Sequence, residues 1–362
     1  MTDYFISGDI GGTKTLLQAA ELKAGGVQVY CEHRYASREY ASFSDVLTDF
    51  MERAAPVPMV GKTPEPVAAC FAVAGPIEQG KVSLTNLRWV MDSAAIAKEF
   101  SIPAVKLIND FAAVALSIET LSARDLVTLQ PGELHPGEMR VALGAGTGMG
   151  VAWLIWQGDR YVTSASEAGH MDFAAADELQ DRLLKYLRGQ LGHVSVERVL
   201  SGPGLTNIFN FLQANQEDRG EDREADARSN QGGDRNNVAE RIQLNMEEDG
   251  AAQVADLAFN HNHSTALKAM DLFVEIYGAY AGNLALTGLS RGGVYVAGGI
   301  APKIINKLRE GGFVKAFRNK GRFAPLMEEI PVHVVTNPKA GLLGAAREAQ
   351  RMLHEKSSRT HY

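Results

Sequence analysis

Two short glycine–threonine turns, each set between apolar strands, restrict this 362-residue chain more than any other feature. The first is Gly8-Asp9-Ile10-Gly11-Gly12-Thr13, with a strand from Tyr4 to Gly8 before it and another from Leu16 to Leu22 after it. The second is Gly144-Ala145-Gly146-Thr147-Gly148-Met149-Gly150, between Arg140 to Leu143 and Val151 to Trp156. Glycines at such a turn let backbone N–H groups converge on one point, and with the hydroxyls of Thr13 and Thr147 that arrangement suits a polyphosphate. Asp9 would repel phosphate directly, so its expected role is to hold a hydrated Mg²⁺. The string Gly-Thr-Lys-Thr invites a P-loop reading, but the first glycine is misplaced and no helix follows. Either turn alone is an ordinary tight bend. Two in matching positions suggest a duplicated half.

A third glycine element, Gly292-Gly293-Val294-Tyr295-Val296-Ala297-Gly298-Gly299-Ile300-Ala301-Pro302, reads as a strand, a glycine pair and the first turn of a helix. Gly298 and Gly299 there would leave a flat floor for an adenine ring. Further strands are expected at Val27 to Glu32, Val67 to Ala74 and Ala104 to Ile108, and a helix after Asp110 with Phe111, Val114, Ala115 and Ile118 on one face. Leu179 to Leu191 and Leu267 to Ala281 have the spacing of buried helices.

The acceptor of a phosphoryl group needs a carboxylate beside the attacking hydroxyl. Lys106-Leu107-Ile108-Asn109-Asp110-Phe111 places two polar residues where a buried strand gives way to a helix. That is the ligand-facing end of a strand in an α/β sheet, although Asn and Asp are also favoured helix caps. Asp110 suits a general base, and Asn109 suits a neighbouring sugar hydroxyl. Glu167 and His170, in Ser166-Glu167-Ala168-Gly169-His170-Met171-Asp172, read as sugar ligands, as a capping box or as an incidental surface pair. Glu197, within Gly192 to Gly204, reads as a sugar ligand or as half of an ion pair with Arg198 or a neighbouring helix.

Composition narrows the class. At about 150 residues per domain the length gives two domains. The net charge of −7, with scattered basic residues, offers no footprint for nucleic acid or a membrane surface. No apolar run approaches the ~18–20 residues of a membrane span, and the opening residues do not resemble a secretory leader, so a cytoplasmic setting is expected. Cys31 and Cys70 sit in strand-like runs and read as buried thiols. His261 and His263 lack a third metal ligand. Residues 214–240 are rich in charge and devoid of aromatics, and read as a polar surface insertion.

The three glycine elements together resemble the actin-like ATPase superfamily that includes sugar kinases. The strings GDIGGTK, LTNLRW, LINDFAAV, GAGTGMGV, EAGHMDF, GHVSVERVLSGPGL, NLAL and VYVAGGIAPK, with Gly341-Leu342-Leu343-Gly344 near the end, are similar in order and spacing to bacterial hexokinase-type glucokinases. The resemblance implies an α/β, two-domain actin-like ATPase (ribonuclease H-like) fold closing over an interdomain cleft. Its small domain would comprise residues 1–120 plus 336–362, and its large α+β domain residues 121–335. It implies D-glucose and MgATP as substrates and Asp110 as catalytic base. By the same resemblance Asn109, Glu167, His170 and Glu197 fall on glucose ligands, with Asn86 as a further neighbour of the sugar. Asp9, Gly11, Gly12, Thr13, Gly146, Thr147, Gly148, Gly298 and Gly299 fall in its ATP loops. Two distant cysteines cannot supply the zinc motif of the repressor/kinase branch, which points to the zinc-free group. Relatives are often homodimers, so that state is left open. A kinase for another hexose and a non-catalytic sugar or nucleotide sensor are the alternatives.

Overall fold

The computed structural model describes residues 4–23, 26–54, 65–84, 87–219 and 250–359. Its first sheet begins as an antiparallel meander of β1 (Tyr4–Ile10), β2 (Lys14–Lys23) and β3 (Gly26–Ala36). Helix α1 (Phe43–Ala54) covers one face, and β4 (Pro66–Val73) returns parallel to β1. A small ribbon, β5 (Lys81–Ser83) with β6 (Val90–Asp92), leads through α2 (Ser93–Glu99) to β7 (Val105–Asn109), parallel to β4. The strand order is β3-β2-β1-β4-β7. The strands at Val27, Val67 and Ala104 expected from the sequence are all present. No helix follows the first glycine turn, as the rejection of a P-loop requires.

Helix α3 (Asp110–Ser117) then crosses to the second sheet, which holds β8 (Leu126–Gln130), β9 (Arg140–Ala145), β10 (Met149–Trp156) and β11 (Tyr161–Ser166). Among the described residues there follow α4 (Glu178–Leu191), α5 (Gly202–Arg219), α6 (Gly250–Phe259) and the long α7 (Ser264–Gly288). The second sheet is completed by β12 (Val294–Ala297) and, after α8 (Ile305–Arg309), α9 (Gly312–Arg318) and α10 (Ala324–Glu329), by β13 (Val332–Val335). Its order is β11-β10-β9-β12-β13-β8, so β9 to β13 repeat the frame of the first sheet: an antiparallel meander with two parallel strands beside its first member. Among the described residues no helix is long and apolar enough to cross a membrane.

The last helix, α11 (Ala340–Arg359), lies with α3 between the two sheets. One core cluster joins them: Phe5, Ala68, Cys70 and Ile108 of the first sheet, Ala113 and Leu116 of α3, Ala345 and Ala349 of α11, and Ala142, Ala152 and Tyr295 of the second sheet. The single apolar face expected for α3 is therefore too narrow a description. Ala112, Ala113, Ala115 and Leu116 are buried, while Phe111 and Val114 are only partly so, because the helix has a sheet on either side. Small side chains let the layers approach: a Cβ at Gly344 would overlap the Ala113 carbonyl. Ion pairs secure the same helix, with Glu119 between Arg347 and Arg351 and Lys106 2.5 Å from Glu348.

The polar stretch at 214–240 divides. Residues 214–219 complete α5, and 220–240 lie outside the described residues. Of the two histidines considered for metal, His263 caps α7 by accepting from the Ala266 amide at 3.3 Å, and His261 lies 3.3 Å from Asp256. Replacing Gly344 with Ala forces α11 and α3 apart and is expected to cost about 1–3 kcal/mol, read as a lower urea midpoint.

Candidate active site

The first glycine turn is anchored from beneath. The Gly11 amide donates to the Lys14 carbonyl at 2.9 Å, closing the bend. The buried Ser37 hydroxyl donates to the Gly11 carbonyl at 2.8 Å, and the Ser37 amide donates to the Thr13 carbonyl at 3.1 Å. Both carbonyls are thus turned inward, and the Thr13 side chain is exposed on the open side. Asp9, on the last turn of β1's pairing with β2, has its carboxyl raised above the usual range by burial, with nearby Lys14 opposing the shift. Gly341, in the first turn of α11, sits against this carboxylate: a Cβ there would stand 3.1 Å from the Asp9 Cγ.

Asn109 and Asp110 share the junction of β7 and α3. The cap goes to Asn109, whose Oδ1 accepts from the amides of Phe111 at 2.9 Å and Ala112 at 3.2 Å. Its Nδ2 donates to the Gly75 carbonyl at 3.4 Å. With the cap supplied, Asp110 is released for other work as the first helical residue. Burial pushes its carboxyl up to about 6, opposed by a hydrogen bond from the Phe111 amide and reinforced by the charges of Asp9 and Glu167. Three carboxylates drawn from three parts of the sequence therefore share one electrostatic neighbourhood.

The second turn joins β9 to β10. Gly146 donates to the Gly148 carbonyl at 2.8 Å, and its own carbonyl accepts from the Gly202 amide at the start of α5, also at 2.8 Å. A Cβ on Gly146 would meet nothing within 4 Å, and Thr147 is exposed. Gly148 has a different reason to be glycine, because a Cβ there would stand 2.5 Å from the Glu197 carboxylate. Glu197 reaches across this gap and accepts from the Met149 amide at 2.9 Å, so a tie to the turn replaces the ion pair with Arg198. Gly144 and Gly150 face each other across the two strands, and both lie under the ring of Phe111. They make room for that ring, which corrects the reading of the entire Gly144–Gly150 run as a phosphate surface.

The third glycine element packs onto the same turn. Gly298 adopts φ 81°, and a Cβ there would lie 2.6 Å from the Ala145 carbonyl, which also accepts from the Ile300 amide at 3.2 Å. Gly299 is open, with nothing within 4 Å of where a Cβ would be. Pro302 falls in the first turn of the short 3₁₀ helix Ala301–Ile304.

Glu167 precedes and His170 ends the 3₁₀ turn Ala168–His170, with their side chains exposed and 3.9 Å apart. There is no capping box at this turn. Gly169 presses on the Met149 carbonyl, and the buried Tyr280 of α7 donates to the Ala168 carbonyl at 2.8 Å, fixing the turn beside the second hairpin. Asn86 lies outside the described residues. Sequence reading passed over Ser37, Phe111, Tyr280 and the contact of Gly341 with Asp9. Phe111 was visible only as an apolar helix residue, and Gly341 only within the string Gly341-Leu342-Leu343-Gly344 that carries part of the family resemblance.

The whole-chain pattern matches known proteins. The family model described as Glucokinase matches residues 6–352. The chain belongs to the glucokinase family. A glucokinase of Nostoc punctiforme is 41% identical over 358 residues, covering 96% of this chain and 99% of the relative. The solved glucokinase of an Antarctic psychrotroph superimposes with a TM-score of 0.79 at 29% identity, covering 97% of this chain and 100% of that one. A glucokinase of Streptomyces griseus, solved in complex with glucose and AMPPNP, has a TM-score of 0.57 at 17% identity, covering 96% and 99%, and shares the fold. These neighbours place this glucokinase-family chain in the actin-like sugar-kinase fold.

The raised carboxyl of Asp110 has a consequence for stability. Between the ordinary aspartate value of ~3.9 and about 6 the folded state holds a proton that the unfolded chain has lost, so stability falls as pH rises through this window. Asp110→Asn removes that penalty. Relative to the unsubstituted protein, its urea stability is expected to gain from pH 4 to pH 7, by at most about 3 kcal/mol. A difference that does not change with pH would show that the carboxyl is well hydrated.

Proposed function

We infer that this glucokinase-family chain transfers the γ-phosphate of ATP to the 6-hydroxyl of D-glucose, giving glucose 6-phosphate and ADP, with Asp110 as the base. The observation that carries the reading is the Asp110 carboxyl itself: desolvated, at the C-terminal end of a parallel strand, and sharing its surroundings with Asp9 and Glu167. The S. griseus neighbour was crystallised with glucose and AMPPNP, an ATP analogue, which supports this pairing of substrates.

In the proposed reaction the 6-hydroxyl oxygen attacks the γ-phosphorus and its proton passes to Asp110. The bond from that phosphorus to the β–γ bridging oxygen breaks as ADP leaves. Asp110 orients the hydroxyl before accepting its proton. Asn109, Glu167, His170 and Glu197 hold the sugar, and Asn86 belongs to the same proposal. The amides of Gly12 and Gly148, with the hydroxyls of Thr13 and Thr147, face the phosphates, while the amides of Gly11 and Gly146 close the two bends that present them. Gly298 and Gly299 floor the adenosine. The exposed Thr13 and Thr147 hydroxyls and the unobstructed Gly146 and Gly299 support these roles, since each leaves space for a ligand.

The carboxylate oxygens of Asp9, pressed out of water at the end of β1 and close in charge to Asp110, fit the hard-oxygen preference of a hydrated Mg²⁺. Bound there, the ion would neutralise phosphate charge. The reading extends to a cytoplasmic setting, where ATP is supplied. It also divides the chain into residues 1–120 with 336–362 and residues 121–335, each half built on one sheet. Exclusion of water by closure of those halves would favour the sugar hydroxyl as acceptor.

Asp110→Ala is expected to lower kcat about 10²–10⁴-fold, with folding intact, in an assay of glucose-dependent ATP consumption. Undiminished turnover would remove Asp110 from the mechanism. In the unsubstituted protein kcat/KM for glucose should fall on the acid side with a midpoint near the carboxyl's value of about 6, since only the ionised form accepts a proton. Mannose and fructose in the same assay decide between glucose and another hexose.

A further inference from the structure

We propose that Phe111 is a positioning residue for phosphoryl transfer: its ring, seated in a notch made by Gly144 and Gly150, holds Asp110 in register with the second glycine turn. The proposal rests on the reading of Asp110 as the base.

Phe111 is bonded to Asp110 and shares its fixation. The Phe111 amide donates to Asn109 Oδ1 at 2.9 Å and to Asp110 Oδ1 at 2.8 Å, so one peptide group serves both the cap and the base carboxylate. The side chain of the same residue leaves the first sheet and lands on the second. Gly144 of β9 and Gly150 of β10 are direct cross-strand partners. A Cβ on Gly144 would be 2.7 Å from Phe111 Cζ, and one on Gly150 would overlap the Cγ–Cδ2–Cε2 edge of the ring. A glycine pair within a ladder, here one pair from its turn end, weakens a sheet, having no side chains to pack. An aromatic ring laid over it restores the lost contact.

The notch also adjoins the chemistry. Gly144 stands two residues before Gly146 and Gly150 two residues after Gly148, so the ring sits on the base of the turn proposed to face the phosphates. Neighbouring positions on that face, Ala142 and Ala152, are small but retain a Cβ, which confines the full depth of the notch to the place where Phe111 enters. Asp110 is thereby located from both sheets: through β7 by its backbone, and through the Phe111 ring by the second turn. A base held from one side alone would follow the first sheet as the phosphate followed the second. Misplacement on the order of 1 Å can cost about 10² in rate.

The test uses the full chain with Phe111→Ala, Phe111→Leu and Gly150→Ala, each alone and combined with Asp110→Ala. The readouts are kcat, KM for glucose and for ATP, and the urea midpoint. Phe111→Ala should lower kcat about 10–100-fold while both KM values stay within about threefold, and Phe111→Leu should restore part of the loss. Gly150→Ala displaces the ring from the opposite side while leaving the sequence of α3 unchanged, and should reproduce the kcat loss if Phe111→Ala fails to fold. In the Asp110→Ala background both changes should be nearly silent, because the residue they position is gone. A lower urea midpoint with kcat unchanged would overturn the proposal, as would an equal rate loss with and without Asp110. Failure of the base assignment reads differently: Asp110→Ala alone would then keep full activity.

Discussion

The close contact between α3 and α11 sets the rest of the structure. These two helices fill the space between the sheets, and they do so with alanine and glycine where most layered proteins place larger side chains. At Gly344 the backbone of α11 touches that of α3, and Ala113, Ala345 and Ala349 keep the layer thin. Thinness has a chemical result. The C-terminal ends of β1 and β7 lie near one edge of this layer, and the second glycine turn lies at the same edge. The charges of Asp9 and Glu167 consequently both act on the Asp110 carboxyl although 158 positions separate those two residues.

Such an arrangement is costly on electrostatic grounds and useful on chemical ones. Burial drives Asp9 and Asp110 upward, against the tendency of carboxylates to remain ionised in water. A base poised near neutrality accepts a proton readily and still exists mainly in its ionised form at physiological pH. The supports around it are mostly neutral: Ser37 beneath the first turn, Asn109 as the cap, Tyr280 under the Ala168 carbonyl, and the Tyr277 hydroxyl accepting from the Ala145 amide at 3.0 Å. Neutral donors and acceptors fix geometry without adding charge to a neighbourhood already crowded with it.

Much of this was legible in the sequence because it is local. The two glycine–threonine turns announce themselves between alternating strands, and Asn109-Asp110 lies where a buried run ends. The strand frame followed from those signals, and the long helix α7 from the apolar spacing of 267–281. Contacts that depend on distant partners were not legible. Nothing near Gly150 says that residue 111 will lie upon it, and nothing near Glu197 says that its carboxylate will cap the Met149 amide. Glycines illustrate the limit well. Gly146 is open to a ligand, Gly148 yields to Glu197 and Gly150 yields to Phe111, yet in one dimension the three are a single repeating pattern.

The contact of Gly341 with Asp9 bears on the order in which the molecule matures. Residues 340–359 are synthesised after every strand and helix they pack against. Until they fold back, one wall around the Asp9 carboxylate and the whole inner layer beside α3 are missing. A nascent polypeptide that has already formed both sheets on the ribosome would still be unfinished at its reactive edge. Competence would then wait on the docking of this helix.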